Sequence, residues 1–304
     1  MHVWTHDRFA FPLPVGHRFP LPKYRLLRER VVGDGLASPE EVHEADPVAW
    51  ADLEAVHDPA LVGRIRAGRL SAREQRGLGL PWSPELVARG RRSVAGTIAA
   101  AFHALDHGAA MNLGGGTHHA GRDFARGYCL FNDVAVAVAC LRDAGAARRA
   151  LVVDCDVHQG DGTAQLLAGA ADPDAFALSL HGARNYPFQR IASDLDVDLP
   201  TGTRDERYLA ALERALEDAL GGLRPDVAFY LAGADPWDGD RLGRLALTKA
   251  GLRRRDELVL DRLGALGVPV CVVLAGGYAP DVRDAVDIHA GTAAAVCARY
   301  RRSR

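Results

Sequence analysis

Short, continuous runs of apolar residues recur along the chain from residue 109 onward, at 109–113, 150–153, 175–180, 227–231 and 268–274, each flanked by turn-forming residues. Continuous rather than alternating hydrophobicity over so few residues predicts strands buried on both faces of a parallel sheet. Between the runs lie stretches with apolar residues at helical spacing. Asn132 is placed to cap a helix over 133–142 that Gly145 ends. Thr203 is placed to cap another, whose Leu209, Leu212, Leu216 and Leu220 fall on one face. The Pro-rich opening at 11–22 is expected as an ordered loop, since Pro12, Pro14, Pro20 and Pro22 would each break a helix. Strand alternating with helix predicts an α/β fold with an open, mostly parallel sheet covered by helices on both faces. No internal repeat or low-complexity linker divides the chain, so a single domain over 1–304 is expected.

The unusual residues sit at the ends of the apolar runs. GGGTHHA follows the first run, DCDVHQGD overlaps the end of the second and SLH ends the third; GADPWDGD follows the fourth and AGGY the fifth. Open parallel sheets bind ligands beyond the carboxyl ends of their strands. Five such ends carrying His, Asp, Gly and Tyr therefore predict one shared site.

Composition narrows the picture without redirecting it. With 48% hydrophobic and 25% charged residues the chain is ordinary globular protein, and a net charge of -2 offers no basic excess for nucleic acid. No apolar run approaches the roughly 18 residues of a membrane span, and the N-terminus lacks the pattern of a signal peptide. The short Arg-rich tail at 299–304 reads equally well as a frayed, solvated terminus or as a docking patch. Five cysteines, Cys129, Cys140, Cys155, Cys271 and Cys297, form no CxxC pair and fit reduced thiols in a cytoplasmic protein. Only two of the 37 basic residues are lysines, Lys23 and Lys249, a bias that points to GC-rich bacterial coding.

Asp154, Asp156 and His158 alternate along a strand end, so their side chains share one side. Two carboxylates and an imidazole crowded together need a compensating cation or hydrogen-bond partners. Asp and His are both zinc ligands, and a catalytic zinc takes three protein ligands plus water. Asp156 and His158 supply two, and Asp235 in GADPWDGD is the evident third. His118 and His119 follow three glycines that let the backbone turn and approach a ligand. Amide hydrolysis needs a base for water and an acid for the leaving amine, roles suited to His. Each ring also needs a carboxylate to fix its tautomer, and Asp154 and Asp161 remain for this. Tyr278, after Gly276 and Gly277, could donate a hydrogen bond to a developing oxyanion, or simply pack over its loop.

Taken in order, GGGTHHAGRDFARGYCLFNDVAVA, VVDCDVHQGDGTAQL, FALSLHG, LAGADPWDGDRLGRLALT and LAGGY resemble the successive motifs of the zinc-dependent histone deacetylases, and HRFPLPKYRLLRE is similar to the N-terminal loop of class IV-like and bacterial members. The resemblance spans residues 78–278 and implies the arginase–deacetylase fold. It implies zinc on Asp156, His158 and Asp235, His119 as general base and acid with His118 as its partner, Asp154 and Asp161 behind them, and Tyr278 polarising the carbonyl. It further implies an acyl-lysine tunnel walled by Gly127, Tyr128 and Tyr186, with Leu242, Gly276 and Gly277 lining the pocket; many relatives carry Phe at the position of Tyr128. A potassium ion is implied at Asp154, Asp156, His158, Ser179 and Leu180. One position departs: Pro81 in LGLPWSPE stands near where class I and II members carry a rim Asp that grips the substrate backbone.

The expected activity is zinc-dependent hydrolysis of an N-acyl amide, on an acyl-lysine protein or peptide or a small acylated amine such as an acetylpolyamine. A dimanganese ureohydrolase-like enzyme is the alternative on the same fold. It would need a second Asp-x-Asp pair, and after Asp235 the next acids, Asp238 and Asp240, fall at the wrong spacing. A catalytically silent binding protein is the alternative of another class, and every matched polar position is filled.

Overall fold

The computed structural model describes residues 1–300, so the Arg-rich tail beyond Tyr300 lies outside the described residues. Eight strands among them form one open sheet: β1 (Val3–Trp4), β2 (Val42–His43), β3 (Ala109–Asn112), β4 (Ala150–Asp154), β5 (Ala175–Gly182), β6 (Leu195–Leu199), β7 (Val227–Leu231) and β8 (Val270–Val273). Their order is β2-β1-β3-β8-β7-β4-β5-β6, and every neighbouring pair is parallel. Parallel neighbours need crossovers, which ten helices serve or flank: α1 (Pro22–Gly33), α2 (Trp50–Glu54), α3 (Pro59–Arg66), α4 (Ala72–Leu78), α5 (Pro84–His107), α6 (Asp133–Asp143), α7 (Asp161–Leu167), α8 (Asp205–Gly222), α9 (Lys249–Ala265) and α10 (Val282–Tyr300).

The five apolar runs became β3, β4, β5, β7 and β8, and β3, β4, β7 and β8 are buried along their whole length. Alternate side chains serve opposite layers. Leu151, Val153 and Tyr230 pack with Leu27 of α1, Leu212 and Leu216 of α8, Val259 of α9 and Val296 of α10. Val152, Phe229 and Leu231 pack with Ala101 and Ala104 of α5 and Val134 and Leu141 of α6. Full burial of Leu212 and Leu216 is worth roughly 1.5–3 kcal/mol each. A third cluster of Leu53, Leu61, Ile65, Leu78 and Leu86 with Leu130 and Phe131 seats α2, α3 and α4 near the carboxyl rim.

Three local expectations change. Pro22 opens α1 rather than excluding it, because the first turn needs no N–H from that residue. The N-cap of α8 is Arg204, while the Thr203 hydroxyl donates to Pro200 O at 2.7 Å. The edge strand β6 carries the alternating sequence Leu-Asp-Val-Asp-Leu with one wet face, a pattern unlike the buried runs. Asn132 does cap α6, its side chain accepting from Ala135 N at 2.9 Å, and Gly145 follows the helix with a φ of 65°. No helix among the described residues is long and apolar enough to cross a membrane, and all five cysteines are free thiols.

Candidate active site and metal centre

Beyond Asp154 the chain leaves β4 in two successive side-chain-to-backbone turns. Asp154 Oδ1 accepts from Asp156 N at 3.0 Å, and Asp156 Oδ1 accepts from His158 N at 2.9 Å. These turns aim Asp156 and His158 at the loop after β7, where Asp235 Oδ1 accepts from Val157 N at 2.9 Å. His158 Nδ1 then lies 2.9 Å from Asp156 Oδ1 and 3.3 Å from Asp235 Oδ2. One ligand atom from each of the three residues lies within 4.8 Å of the others, and all three are buried. Gly276 N donates to Asp156 Oδ2 at 2.8 Å. A Cβ on Gly276 would sit 2.0 Å from Asp235 Oδ2, so only glycine lets this strand end approach.

The donor set fits a small divalent cation. Ligands about 2.0–2.1 Å from a tetrahedral zinc are about 3.3 Å from one another. Asp235 Oδ2 is buried with no hydrogen-bond partner. Burial and the Asp156 charge push Asp235 up to about 7. Burial also pushes Asp156 upward, but the His118 charge and the hydrogen bond and charge of His158 hold it well below the usual carboxylate range. Burial alone would depress His158, yet Asp156 and Asp235 bring it up to about 10.

Two histidine–carboxylate pairs stand beside this cluster. The loop carrying them is fixed by Asp133 at the start of α6, which accepts from Gly116 N at 3.0 Å and Thr117 N at 2.7 Å. His118 Nδ1 donates to Asp154 Oδ2 at 2.7 Å and His119 Nδ1 to Asp161 Oδ1 at 2.5 Å, leaving each Nε2 free for other work. The His118 Nε2 atom lies 3.9 Å from Asp156 Oδ1. Burial lowers both rings. At His118 the charges of Asp154 and Asp156 overcome it and raise the pKa to about 9. At His119 the charges of His118 and His158 add to burial, and the ring stays well below its ordinary value, neutral at pH 7. Arg126 donates to the other oxygen of Asp161 and stacks on Phe124.

A cavity of about 440 Å³ joins His118, His119, Asp156, His158, Gly127, Tyr128, Tyr186, Leu242, Gly276 and Tyr278. Tyr128 and Gly127 both take left-handed backbone, with φ of 67° and 57°. A Cβ on Gly127 would meet His119 Cδ2 at 2.5 Å, so this wall is pressed onto the imidazole. The Tyr186 ring stands edge-on to His119 with centroids 4.9 Å apart, and Tyr128 lies 5.8 Å from Tyr278. Burial and the charges of Asp156 and Asp235 keep the Tyr278 phenol protonated, far above its ordinary range. Asp240 seats this wall, accepting from Tyr278 N at 2.6 Å and Leu242 N at 2.8 Å. Gly277, expected to line the pocket, is not among the residues that line the cavity, and a Cβ on it would point at Ala234 and His289. Ser179 is the register partner of Asp154 on β5, with Leu180 wholly buried next to it. Pro81 is exposed and outside the lining; Arg76 to Leu80 border the cavity from that segment, with no Asp among them.

A model of the histone deacetylase domain matches residues 17–293. The chain belongs to the histone deacetylase family. An uncharacterized protein of Picosynechococcus is 46% identical over 287 residues, covering 94% of this chain and 95% of that one. The histone deacetylase-like amidohydrolase of Pseudomonas aeruginosa is 29% identical over 283 residues, covering 88% and 74%. Histone deacetylase 2 of Arabidopsis thaliana is 29% identical over 271 residues, covering 86% and 70%. A crystal structure of an HDAC homolog complexed with SAHA superposes with a TM-score of 0.83 at 23% identity, over 99% of this chain and 84% of that one. That likeness shows the shared fold.

For this deacetylase-family chain, sequence reasoning overlooked Arg126, Asp133 and Arg255. Arg255, on α9, is fully buried beneath the site; its Nη1 donates to Gly233 O at 2.6 Å and Cys155 O at 3.3 Å, the loops that carry Asp235 and Asp156.

Proposed function

We propose that the protein is a zinc-dependent deacylase that hydrolyses N-acyl amides, with N6-acyl-lysine as the leading substrate class. The observation that carries this reading is the convergence, in one cavity, of the Asp156–His158–Asp235 cluster with two His–Asp pairs and a protonated Tyr278 phenol. Asp156, His158 and Asp235 would hold the ion, which when bound supplies Lewis acidity toward the carbonyl and toward water.

His119, neutral and oriented by Asp161, accepts the proton of the attacking water through Nε2. His118, oriented by Asp154 and carrying a proton, balances the buried acids; with His119 it forms the pair that returns a proton to the leaving amine. Tyr278 donates its O–H to the carbonyl oxygen as negative charge builds there. Tyr128 and Tyr186 flank the acyl-lysine stem, excluding water and orienting the amide. The dimanganese alternative loses support from Asp240, whose carboxylate is committed to the N–H groups of Leu242, Gly243 and Tyr278.

The test is hydrolysis of an acyl-lysine peptide by protein stripped of metal and reloaded with one equivalent of zinc, compared with His119→Ala and Tyr278→Phe. Activity that returns with zinc and is lost in both variants is expected. Equal activity in all three proteins, or two tightly bound manganese ions per chain, would overturn the reading.

A further inference from the structure

The charged residues that line the cavity outside the metal cluster and its histidines are all arginines: Arg76, Arg89, Arg184 and Arg244. Arg89 is buried, with Nη1 donating to His6 O and Phe9 O at 2.9 Å each. Arg76, Arg184 and Arg244 are exposed and form the outer end. Among the described residues none of these three makes an ion pair, although arginines on neighbouring turns do. Arg64 is paired with Glu74, and Arg190 with Asp198. Glu74 and Asp198 are thus engaged by those arginines, and Asp240 by backbone N–H groups. A chain with net charge -2 thus presents an uncompensated positive mouth to its substrate. Beside it the exposed Phe188, 85% accessible, shares a shallow groove with Arg184 and Arg244. The groove offers an apolar and cationic surface at the mouth.

Unpaired arginines stay charged at any working pH and present five N–H donors matched to carboxylates. A polycation, by contrast, would meet like charge at the entrance. We propose that Arg76, Arg184 and Arg244 select substrates bearing carboxylate groups at the cavity mouth, beside the acylated residue, the class being an acyl-lysine flanked by Asp or Glu. The inference rests on the deacylase reading above and narrows it, setting aside acetylpolyamines and Lys-rich tails. The same chemistry could come from the α-carboxylate of free acyl-lysine, and the experiment separates the two sources.

Zinc-loaded protein is assayed for kcat/KM on peptides of one length with acidic, neutral or basic residues around the acyl-lysine, on free acetyl-lysine and its carboxamide, and on N-acetylputrescine. Exposed pairs contribute roughly 1.4- to 5-fold each. The acidic peptide should therefore exceed the basic one about tenfold at low salt, with the gap shrinking as salt screens the mouth. Arg184→Glu with Arg244→Glu, both at the surface, should invert the order. Preference for free acetyl-lysine over its carboxamide would assign the effect to the α-carboxylate; preference confined to the acidic peptide would assign it to flanking side chains. A wild-type order of equal or basic-favoured rates, best activity on N-acetylputrescine, or an order unmoved by charge reversal overturns the proposal while leaving the deacylase reading intact. If no acyl amide is hydrolysed, the deacylase reading fails. The charge preference is then read from the anisotropy of fluorescein-labelled acidic and basic peptides, where equal affinities overturn it.

Discussion

Replacing Arg255 by Met removes a cation that the fold has sealed beneath its metal centre. The guanidinium is wholly buried, with Nε 2.9 Å and Nη2 2.8 Å from Asp256 Oδ1. Asp256 also accepts from the Tyr230 hydroxyl at 2.5 Å and the Thr292 hydroxyl at 2.6 Å. Methionine matches the stem but leaves Asp256 without its counter-charge, a loss of about 3–5 kcal/mol for a broken buried pair. The two hydroxyl donors remain, which favours the lower end. The Gly233 carbonyl loses its donor, adding about 1 kcal/mol or more. The expected sum is about 4 kcal/mol, a large share of the roughly 5–15 kcal/mol that holds a typical domain together. Because Gly233 and Cys155 belong to the loops that present Asp235 and Asp156, zinc affinity should fall about 10- to 100-fold as well. Urea unfolding of metal-stripped protein measures the first effect, and competition with a chelator the second. Leu216→Ala on α8 serves as the control, costing about 2–5 kcal/mol through an apolar cavity without removing a hydrogen bond to the metal loops. A stability loss under about 1 kcal/mol for Arg255→Met, or zinc affinity no weaker than that of Leu216→Ala, would refute the reasoning.

Asp235→Asn should abolish zinc retention on dialysis, whereas Asp161→Asn, which acts only behind His119, should keep its zinc and lose turnover; metal analysis of both proteins checks this. Tyr278→Phe should lower kcat about 10²- to 10³-fold with zinc content unchanged, and a loss appearing only in KM would contradict its role toward the oxyanion. Far from the cavity, burial together with His2 and His107 depresses His103 from 6.5 to about 4. The unfolded chain then takes up a proton that the folded one refuses as pH falls from about 6.5 towards 4. Stability is lost across that window and is fully present above it. His103→Gln should flatten the decline in urea midpoints between pH 7 and 4.5, and an unchanged slope would dismiss the histidine cluster as its source.

Strand ends were legible because one pattern carried both position and direction. Continuous apolar runs located β4, β7 and β8, whereas strand alternation, expected to put Asp154, Asp156 and His158 on one side, stops at Asp154, and two turns beyond it place Asp156 and His158. The two ends of the sheet were not: the edge strand β2 and its neighbour β1 are two residues long, and the edge strand β6 alternates with one face in water, so none produces a buried run. The pocket walls Tyr128 and Tyr186 came from resemblance alone. Tyr128 depends on a left-handed residue after Gly127, and nothing in local periodicity announces a non-glycine residue there.

The residues that act on the site from helices lay beyond ordinary pattern reading for a different reason. A charged residue on a helix is most often solvated, so Asp133 and Arg255 look like surface positions until the fold buries them. Yet α9 did carry a usable sign. Its buried face runs Leu252, Arg255, Asp256, Val259, Leu260 and Leu263. That is helical spacing, and Arg255 and Asp256 occupy two places on the apolar stripe that leucine and valine fill elsewhere. An ion pair inside such a stripe must be desolvated, and desolvation on this scale persists only where the charges satisfy something else. Here that is a pair of loop carbonyls and two hydroxyls. The same test applied to α5 picks out Arg89, buried among Leu86, Ser93 and Val94, whose donors hold the His6 and Phe9 carbonyls of the N-terminal segment against the inner cavity wall. In both helices the charge placed where a leucine would pack is the one that fixes a loop of the candidate site.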